Sequence, residues 1–426
     1  MKEVLIISYF YTPCSLTAAQ RPAGWVKHLS QFGVKPILIT RNWDKLLNTP
    51  EDQLRDSGKQ IKIDKTNSFE IHYLPYRASL RDRLFNSSNT LLKKTSKVFT
   101  FLTALGENFS NRFIPFDNIY DYAEVLISKH TFSAIVITGN PFIQFRFGYL
   151  LTKKFDIPWI ADYRDDWTTS EIISRKGIFA QILFYIQQKT ERKWVKTASY
   201  ITSVSDVYTQ RISHFVNVPG TTILNGFDTL LPQIKYEDFS SFVITYNGTL
   251  YATQDVEGFI RSVLRCIHLY HKKINIHVRF PGVSYDPIQE KRIKFLIQGY
   301  ESHFFLSPRI AKNEVIALQQ SSDLLLMLTH IGIKGIPSSK LYEYLSLQKT
   351  ILCYPSDNDI VAETLMDTGL GEIVNNEEEL FLYICTCIRM KLNRESTIFE
   401  VNTEKLMHYS TQIQVAKLNS LLNNIH

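Results

Sequence analysis

The feature that most constrains this chain is a set of short Ile- and Val-rich runs without polar alternation, separated by helical patterns. VLIISY (4–9), KPILIT (35–40), SAIVITG (133–139), IPWIADY (157–163), SYITSVS (199–205) and TTILNG (221–226) are of this kind. A strand with one wet face alternates polar and apolar residues; one apolar throughout must be covered on both faces. Such strands, joined by helices, pack as parallel βαβ units. The rhythm stops at GFDTLLPQIKYEDFSS (226–241), which reads as a linker, then restarts with FVITYNG, INIHVRFPG, HFFLSP, DLLLMLT, TILCYP and GEIVN. A helical stretch, EKLMHYSTQIQVAKLNSLLNN (404–424), follows. The expectation is an α/β chain of two doubly wound, Rossmann-like domains, 1–230 and 231–403. A C-terminal helix, 404–426, is expected to pack back toward the first. Open α/β sheets bind ligands outside the carboxyl ends of their strands, so the halves are expected to face each other across a ligand cleft.

Composition adds few limits. At 426 residues, 44% apolar and 21% charged, the chain has a globular make-up with room for more than one core. No apolar run approaches the ~18–20 residues that span a bilayer, and no leader pattern precedes the first strand. The five cysteines, Cys14, Cys266, Cys353, Cys385 and Cys387, are scattered, and the C-x-C of the last two fits neither a zinc site nor a disulfide framework. A reducing cytoplasm is the expected compartment.

The net charge of +7 is uneven. Residues 1–230 carry 29 Lys+Arg against 20 Asp+Glu, whereas residues 231–426 carry 19 against 21. Residues 77–115 hold seven basic and two acidic residues interleaved with Leu and Phe. A basic amphipathic segment of this kind is expected to meet an anionic membrane surface, placing the protein peripherally on the inner face of the plasma membrane. A solvated helix pair packed on a domain fits the same residues. No recognition motif accompanies the charge, so nucleic acid is not an expected partner.

Polar, glycine-containing segments after strands mark where a site belongs. In the second half these are NGT (247–249), FPG (280–282) and HIGIKGIPSSK (330–340). Gly248 ends a strand without a side chain, so a phosphate can approach the backbone; Gly282 ends the next. A helix opening at Pro337-Ser338-Ser339 presents free amides at its positive end, with Lys340 beside them. Glu343, placed on the first turn, can accept hydrogen bonds from the vicinal hydroxyls of a ribose. The set suits a nucleoside diphosphate. A serine N-cap with an acid favoured by the helix dipole accounts for the same residues more plainly; similar geometry at two other strand ends tilts the balance toward a ligand.

In the first half, Asp162, Arg164 and Asp165 of ADYRDDW end a buried strand, either in direct contact with substrate or as an internal ion pair. Arg21 either faces an acceptor phosphate or covers a loop with its stem. His130 and His214 lack metal-ligand spacing; His330 stands beside the glycine loop. No G-x-G-x-x-G follows VLIISY, which disfavours an NAD oxidoreductase.

Five blocks in order resemble glycosyltransferase family 4 of the GT-B fold, in its bacterial surface-polysaccharide branch. They are SYFYTPCSLTAAQRPAGWVKHLSQFGVKPILIT, TGNPFIQFRFGYLLTKKFDIPWIADYRDDW, ASYITSVS, TILNGFD and IPSSKLYEYLSLQKTIL. The resemblance covers nearly the whole chain. It implies a retaining glycosyltransferase with no metal and no cofactor, the nucleotide-diphosphate sugar being the donor substrate and a glycan or lipid-linked molecule the acceptor. It places donor contacts at Gly248, Thr249, Gly282, Lys334, Gly335, Ser338, Ser339, Lys340, Leu341 and Glu343. Catalytic roles fall to Asp165, Arg164 and Arg21, and acceptor-side roles to Arg146 and Asp162. The chain also departs from the family. Glu343 matches the second glutamate of its E-x7-E donor signature, but Gly335 stands at the first. The basic pair that many relatives carry after the first C-terminal strand is missing from NGTLYATQDVEG, which leaves Lys340 and either Lys334 or Arg279 to hold the phosphates, and a histidine of many relatives is Phe145 here. Two other readings share the architecture: a nucleotide-sugar epimerase needing no acceptor, and a non-catalytic GT-B subunit that binds a partner glycosyltransferase.

Overall fold

A computed structural model describes the chain except residues 15, 44–49, 88, 171–176, 234–237, 337, 396–399 and 426. The chain divides into two compact units, Met1–Leu224 with Gln412–His426, and Asn225–Thr411.

The first unit is built on β1 (Lys2–Ser8), β2 (Val34–Arg41), β3 (Lys62–Lys65), β4 (Glu70–Leu74), β5 (Phe132–Gly139), β6 (Trp159–Tyr163), β7 (Tyr200–Ser203) and β8 (Gly220–Thr222). They lie in the order β3-β4-β2-β1-β5-β6-β7-β8, parallel except for β3 against β4. Ile6 stands opposite Leu38 on one side and Val136 on the other. Val4 to Ile7 are fully buried, which is why that strand shows no polar alternation. From the far end of the chain, Val415, Leu418, Leu421, Leu422 and Ile425 join the core formed by Val4, Ile6, Trp25 and Leu38.

Two strands of this sheet escape the apolar-run signal for opposite reasons. β3 is an exposed antiparallel edge, and its KIDK sequence reflects that. β4 is buried but carries Glu70 and His72, whose Oε1 and Nε2 lie 3.0 Å apart, so polar residues fill core positions. Among the described residues, 77–115 contain two α-helices, Leu80–Phe85 and Thr90–Glu107, and a 3₁₀ turn, Asn111–Phe113. The side chains of Lys93, Lys94 and Lys97 lie outside the described set. Arg81 pairs with Asp82, and Arg112 with Asp117 and Asp121. Val98, Leu102, Phe109 and Phe113 are exposed, as are Ile178 and Phe179 on the helix Ile178–Val195. The Phe101 and Phe179 rings meet at 5.3 Å. Among the described residues no helix is long and apolar enough to cross a membrane.

The second unit holds β9 (Ser241–Thr245), β10 (Asn275–Pro281), β11 (Phe304–Ser307), β12 (Leu324–Leu328), β13 (Ile351–Tyr354) and β14 (Gly371–Ile373), all parallel, in the order β11-β10-β9-β12-β13-β14. Ile244, Val278, Leu326 and Leu352 pack with Phe259 and Val263 of the helix Val256–Tyr270 and with Ile384 and Ile388 of the helix Glu377–Leu392. The chain winds outward from β9 to β11, then returns to the other side of β9 for β12. The reversal makes the carboxyl ends of β9, β10 and β12 the switch point, where the loops of an open sheet diverge and leave a crevice.

Candidate functional site

The loops after β9, β10 and β12 meet the start of the helix Ser339–Leu347 within the second unit. Gly248 and Gly282 both hold left-handed backbones, with φ of 92° and 88°. A Cβ on Gly282 would stand 3.3 Å from Gly248 Cα, and one on Gly248 would stand 3.2 Å from Lys340 Cε. The two glycines thus let two loops and a lysine stem share one place. Lys340 Nζ donates to the Tyr246 hydroxyl (2.9 Å) and the Thr249 carbonyl (3.1 Å), 4.5 Å from the centroid of the Tyr246 ring. Desolvation pushes this ammonium down to about 8, with Tyr251 and Glu343 pulling the other way. His330, which contacts the Thr253 hydroxyl through Nδ1 at 2.6 Å, is held below its ordinary pKa by burial and then by the Lys340 charge.

The helix start differs from the sequence expectation in its cap, in the engaged Leu341 amide and in the place of Glu343. Pro337 lies outside the described residues. Ser338 is the N-cap residue, yet its side chain makes no capping bond. The amides of Ser338, Ser339 and Lys340 take no hydrogen bond among the described residues, whereas the Leu341 amide is held by the Ser338 carbonyl at 3.0 Å and its side chain is core. With the helix beginning at Ser339, no acid lies in its first turn, so Glu343 is not placed there by the helix dipole. Glu343 Oε1 instead accepts from Asn247 Nδ2 at 3.1 Å and from Gln319 Nε2.

Lys334 is exposed on the segment between β12 and this helix. Arg279 is turned toward the Leu318 carbonyl (3.2 Å) and the Ser321 hydroxyl (2.7 Å). Gly335, where the resemblance calls for a carboxylate, instead has φ of 81° and donates its amide to Asp359 Oδ2. Asp359 belongs to a D-x-D, Asp357-Asn358-Asp359, that follows β13, against the sequence expectation that no D-x-D follows a strand. Asp357 does not stand open to a ligand: its carboxylate accepts from the Val361 and Ala362 amides at 2.9 and 3.0 Å, capping a helix. Gln319 and Asn247 are the other residues missed. Asn247 had a signal in its NGT loop; Gln319 had none.

In the first unit the residues sort differently. Arg21 does not present its guanidinium to an acceptor: it grips Asp162 at 2.7–3.1 Å and the carbonyls of Ile223 and Leu224 at 2.7 and 3.1 Å. Thr202 Oγ1 donates to the same Asp162 carboxylate at 2.7 Å, and both charged residues are buried. The pair therefore braces β6 against the chain after β8. Arg146 is likewise engaged, with Asn111 Oδ1 (2.7 Å) and the carbonyls of Asn108 (3.0 Å) and Phe109 (2.7 Å). Phe145 is wholly buried against Tyr163 and Trp159. Arg164 bonds its neighbour Asp165 at 2.6 Å, and Asp165 is half exposed. The loop that carries them is anchored by buried Glu191, which accepts from the Tyr163 hydroxyl (2.9 Å), the Thr168 amide (3.2 Å) and the Thr168 hydroxyl. Burial pushes the Glu191 carboxyl up to about 7.

No protein-family model matches the sequence, and no curated protein does. Solved structures do resemble it. One, trehalose-6-phosphate from E. coli bound with UDP-2-fluoro glucose, is similar over 100% of both chains at 13% identity, with a TM-score of 0.65. A UDP-forming trehalose-phosphate synthase from Burkholderia xenovorans is similar over 100% of this chain and 99% of that one, at 10% identity and a TM-score of 0.63. A glycosyltransferase from Rickettsia africae ESF-5 is similar over 99% and 98%, at 14% identity and 0.60. At such identities the likeness shows the fold: two α/β units on parallel sheets, as in GT-B glycosyltransferases.

Proposed function

We propose that the chain is a glycosyltransferase that moves a sugar from a nucleoside-diphosphate sugar, bound by the Asn225–Thr411 unit, to a glycan or lipid-linked acceptor bound by the other unit. One observation carries the reading. Gly248, Gly282, the open amides of the helix start and Lys340 converge at a sheet switch point, with a carboxylate one turn further on. Amides and an ammonium suit a pyrophosphate, and a carboxylate suits the ribose hydroxyls. That UDP-2-fluoro glucose is bound by a protein of this fold supports the same substrate class.

The reaction is retaining and metal-independent in this reading. The helix-start amides and Lys340 offset charge on the departing diphosphate, because fixed dipoles and a cation placed where charge develops lower the barrier. Arg21 acts as a brace for Asp162; Arg164 and Asp165 remain the groups able to touch an acceptor. The motif blocks favour a role in bacterial surface-polysaccharide synthesis. The exposed Val98, Leu102, Phe109 and Phe113, within the basic segment 77–115, favour contact with an anionic membrane, where a lipid-linked acceptor would lie. Co-sedimentation with anionic but not neutral liposomes, lost at high salt, is the expected result.

The deciding experiment is a thermal-shift panel of nucleoside diphosphates and their sugars, run on the protein and on Glu343→Ala. A ligand of the folded state at a hundred times its Kd adds about 2.7 kcal/mol of stability. One diphosphate series should raise the melting point, and Glu343→Ala should lose most of that shift. A flat panel would remove the reading. Gly335 in place of a carboxylate and the buried Phe145 favour one second reading, a subunit that binds nucleotide without turnover; transfer to any acceptor excludes it.

A further inference from the structure

Among the residues of the helix Lys312–Gln320, Gln319 alone is buried, although an inward helix position is ordinarily apolar. Gln319 Nε2 donates to Glu343 Oε1, the oxygen that also accepts from Asn247 Nδ2 at 3.1 Å. Asn247 is itself fixed, since its amide donates to the Tyr344 hydroxyl at 3.0 Å. Gln319 Oε1 is buried and has no hydrogen-bond partner among the described residues. An unmet buried acceptor destabilises a fold, and Leu or Met would fill the space without that penalty. Two donors converging on one carboxylate oxygen fix the rotation of the group, and among the described residues Oε2 takes no hydrogen bond.

We propose that Gln319 is a positioning residue: with Asn247 it locks the Glu343 carboxylate so that Oε2 meets the hydroxyls of a nucleotide ribose. The inference rests on the function proposed above and names the residue that makes the site selective for ribonucleotides. Among the described residues, Lys340, one turn earlier on the same helix, is a charged group that interacts with Glu343, whereas Asn247 and Gln319, from the other elements, are neutral.

The test measures equilibrium binding of the common nucleoside diphosphates and their 2′-deoxy counterparts to the protein and to Gln319→Leu, Gln319→Glu and Glu343→Ala. Gln319→Leu should bind the ribonucleotide about tenfold more weakly and bind the deoxynucleotide almost unchanged, because the 2′-hydroxyl loses a well-aligned hydrogen bond to the charged Glu343 carboxylate. Gln319→Glu sets two carboxylates together, and such a pair holds a shared proton. Its affinity relative to the unaltered protein should be poor at pH 8 and recover toward pH 5.5, a signature that a purely structural glutamine would not give. Taking the ratio at each pH cancels the titration of Lys340. An unchanged ribo-to-deoxy ratio in Gln319→Leu, or a pH-independent ratio in Gln319→Glu, overturns the inference; if Gln319→Leu does not fold, the Gln319→Glu series decides alone. Failure of every diphosphate to bind, or full binding by Glu343→Ala, removes the proposed function instead. Loss of binding in Glu343→Ala with both Gln319 variants unaffected removes the inference only.

Discussion

Lys340 sits where a cation is unfavourable until an anion arrives. Its ammonium has two oxygen partners and an aromatic face, but no carboxylate within salt-bridge distance among the described residues. Desolvation holds it at about 8. A diphosphate would favour the charged form and raise that value, so binding takes up a proton when the pH lies between the free and bound pKa values. The sign follows. Affinity should be level below pH 8 and then fall by up to about tenfold per pH unit above it. Lys340→Met should weaken binding at pH 7 and flatten the profile; titration calorimetry in buffers of different ionisation enthalpy would count the proton. An unaltered profile in Lys340→Met would show that the lysine does not meet the phosphates. Asp359, bonded to the Gly335 amide, brings a carboxylate to a loop whose sequence lacks one. Asp359→Asn should lower turnover at least tenfold more than it lowers nucleotide affinity if that carboxylate acts on the transferred sugar. An equal loss in both would assign it to loop placement.

At the scale of elements, the site depends on two loops approaching more closely than side chains permit. Gly282→Ala adds a Cβ at 3.3 Å from Gly248 Cα on a left-handed backbone, where non-glycine residues lose roughly 1–2 kcal/mol. Gly299 is an internal control: its φ is 83°, but nothing lies within 4 Å of an added Cβ. Both variants should lose similar stability in a denaturant titration, and only Gly282→Ala should also weaken diphosphate binding. The glycine loops were legible because they follow apolar runs, and such runs overlap twelve of the fourteen strands among the described residues, although β8 and β14 themselves are short and not buried. β3 and β4 did not, one because it is an exposed edge and the other because it buries the polar pair Glu70 and His72. Side-chain partnerships were less legible. Arg21 and Asp162 lie 141 residues apart, and nothing local to either names the other. Gln319 hides in a helix with little apolar patterning, and Asp357 looks like a ligand while serving as a cap.

For the whole molecule, continuity separates the two units. The second is a single stretch, Asn225–Thr411, and holds every residue proposed to touch the nucleotide. The first needs both ends of the chain. Val415, Leu418, Leu421 and Leu422 complete its core, Lys2 Nζ donates to the Leu422 carbonyl, and the Leu224 amide donates to Gln414 Oε1 at 2.9 Å. Burying each such aliphatic side chain contributes about 1.5–3 kcal/mol, so losing four of them approaches or exceeds the roughly 5–15 kcal/mol that holds a domain folded. Residues 1–224 expressed alone should therefore lack cooperative unfolding, and adding the 412–426 segment through a flexible linker after residue 224 should restore it. Residues 225–411 alone should fold and bind the same diphosphate with an affinity within a few-fold of the full chain, because a preformed site needs no further ordering. Transfer to an acceptor should be lost in that fragment. If it unfolds cooperatively yet binds no diphosphate, the phosphate grip does not belong to the β9, β10 and β12 loops, and the account of Gly248, Gly282 and Lys340 fails with it.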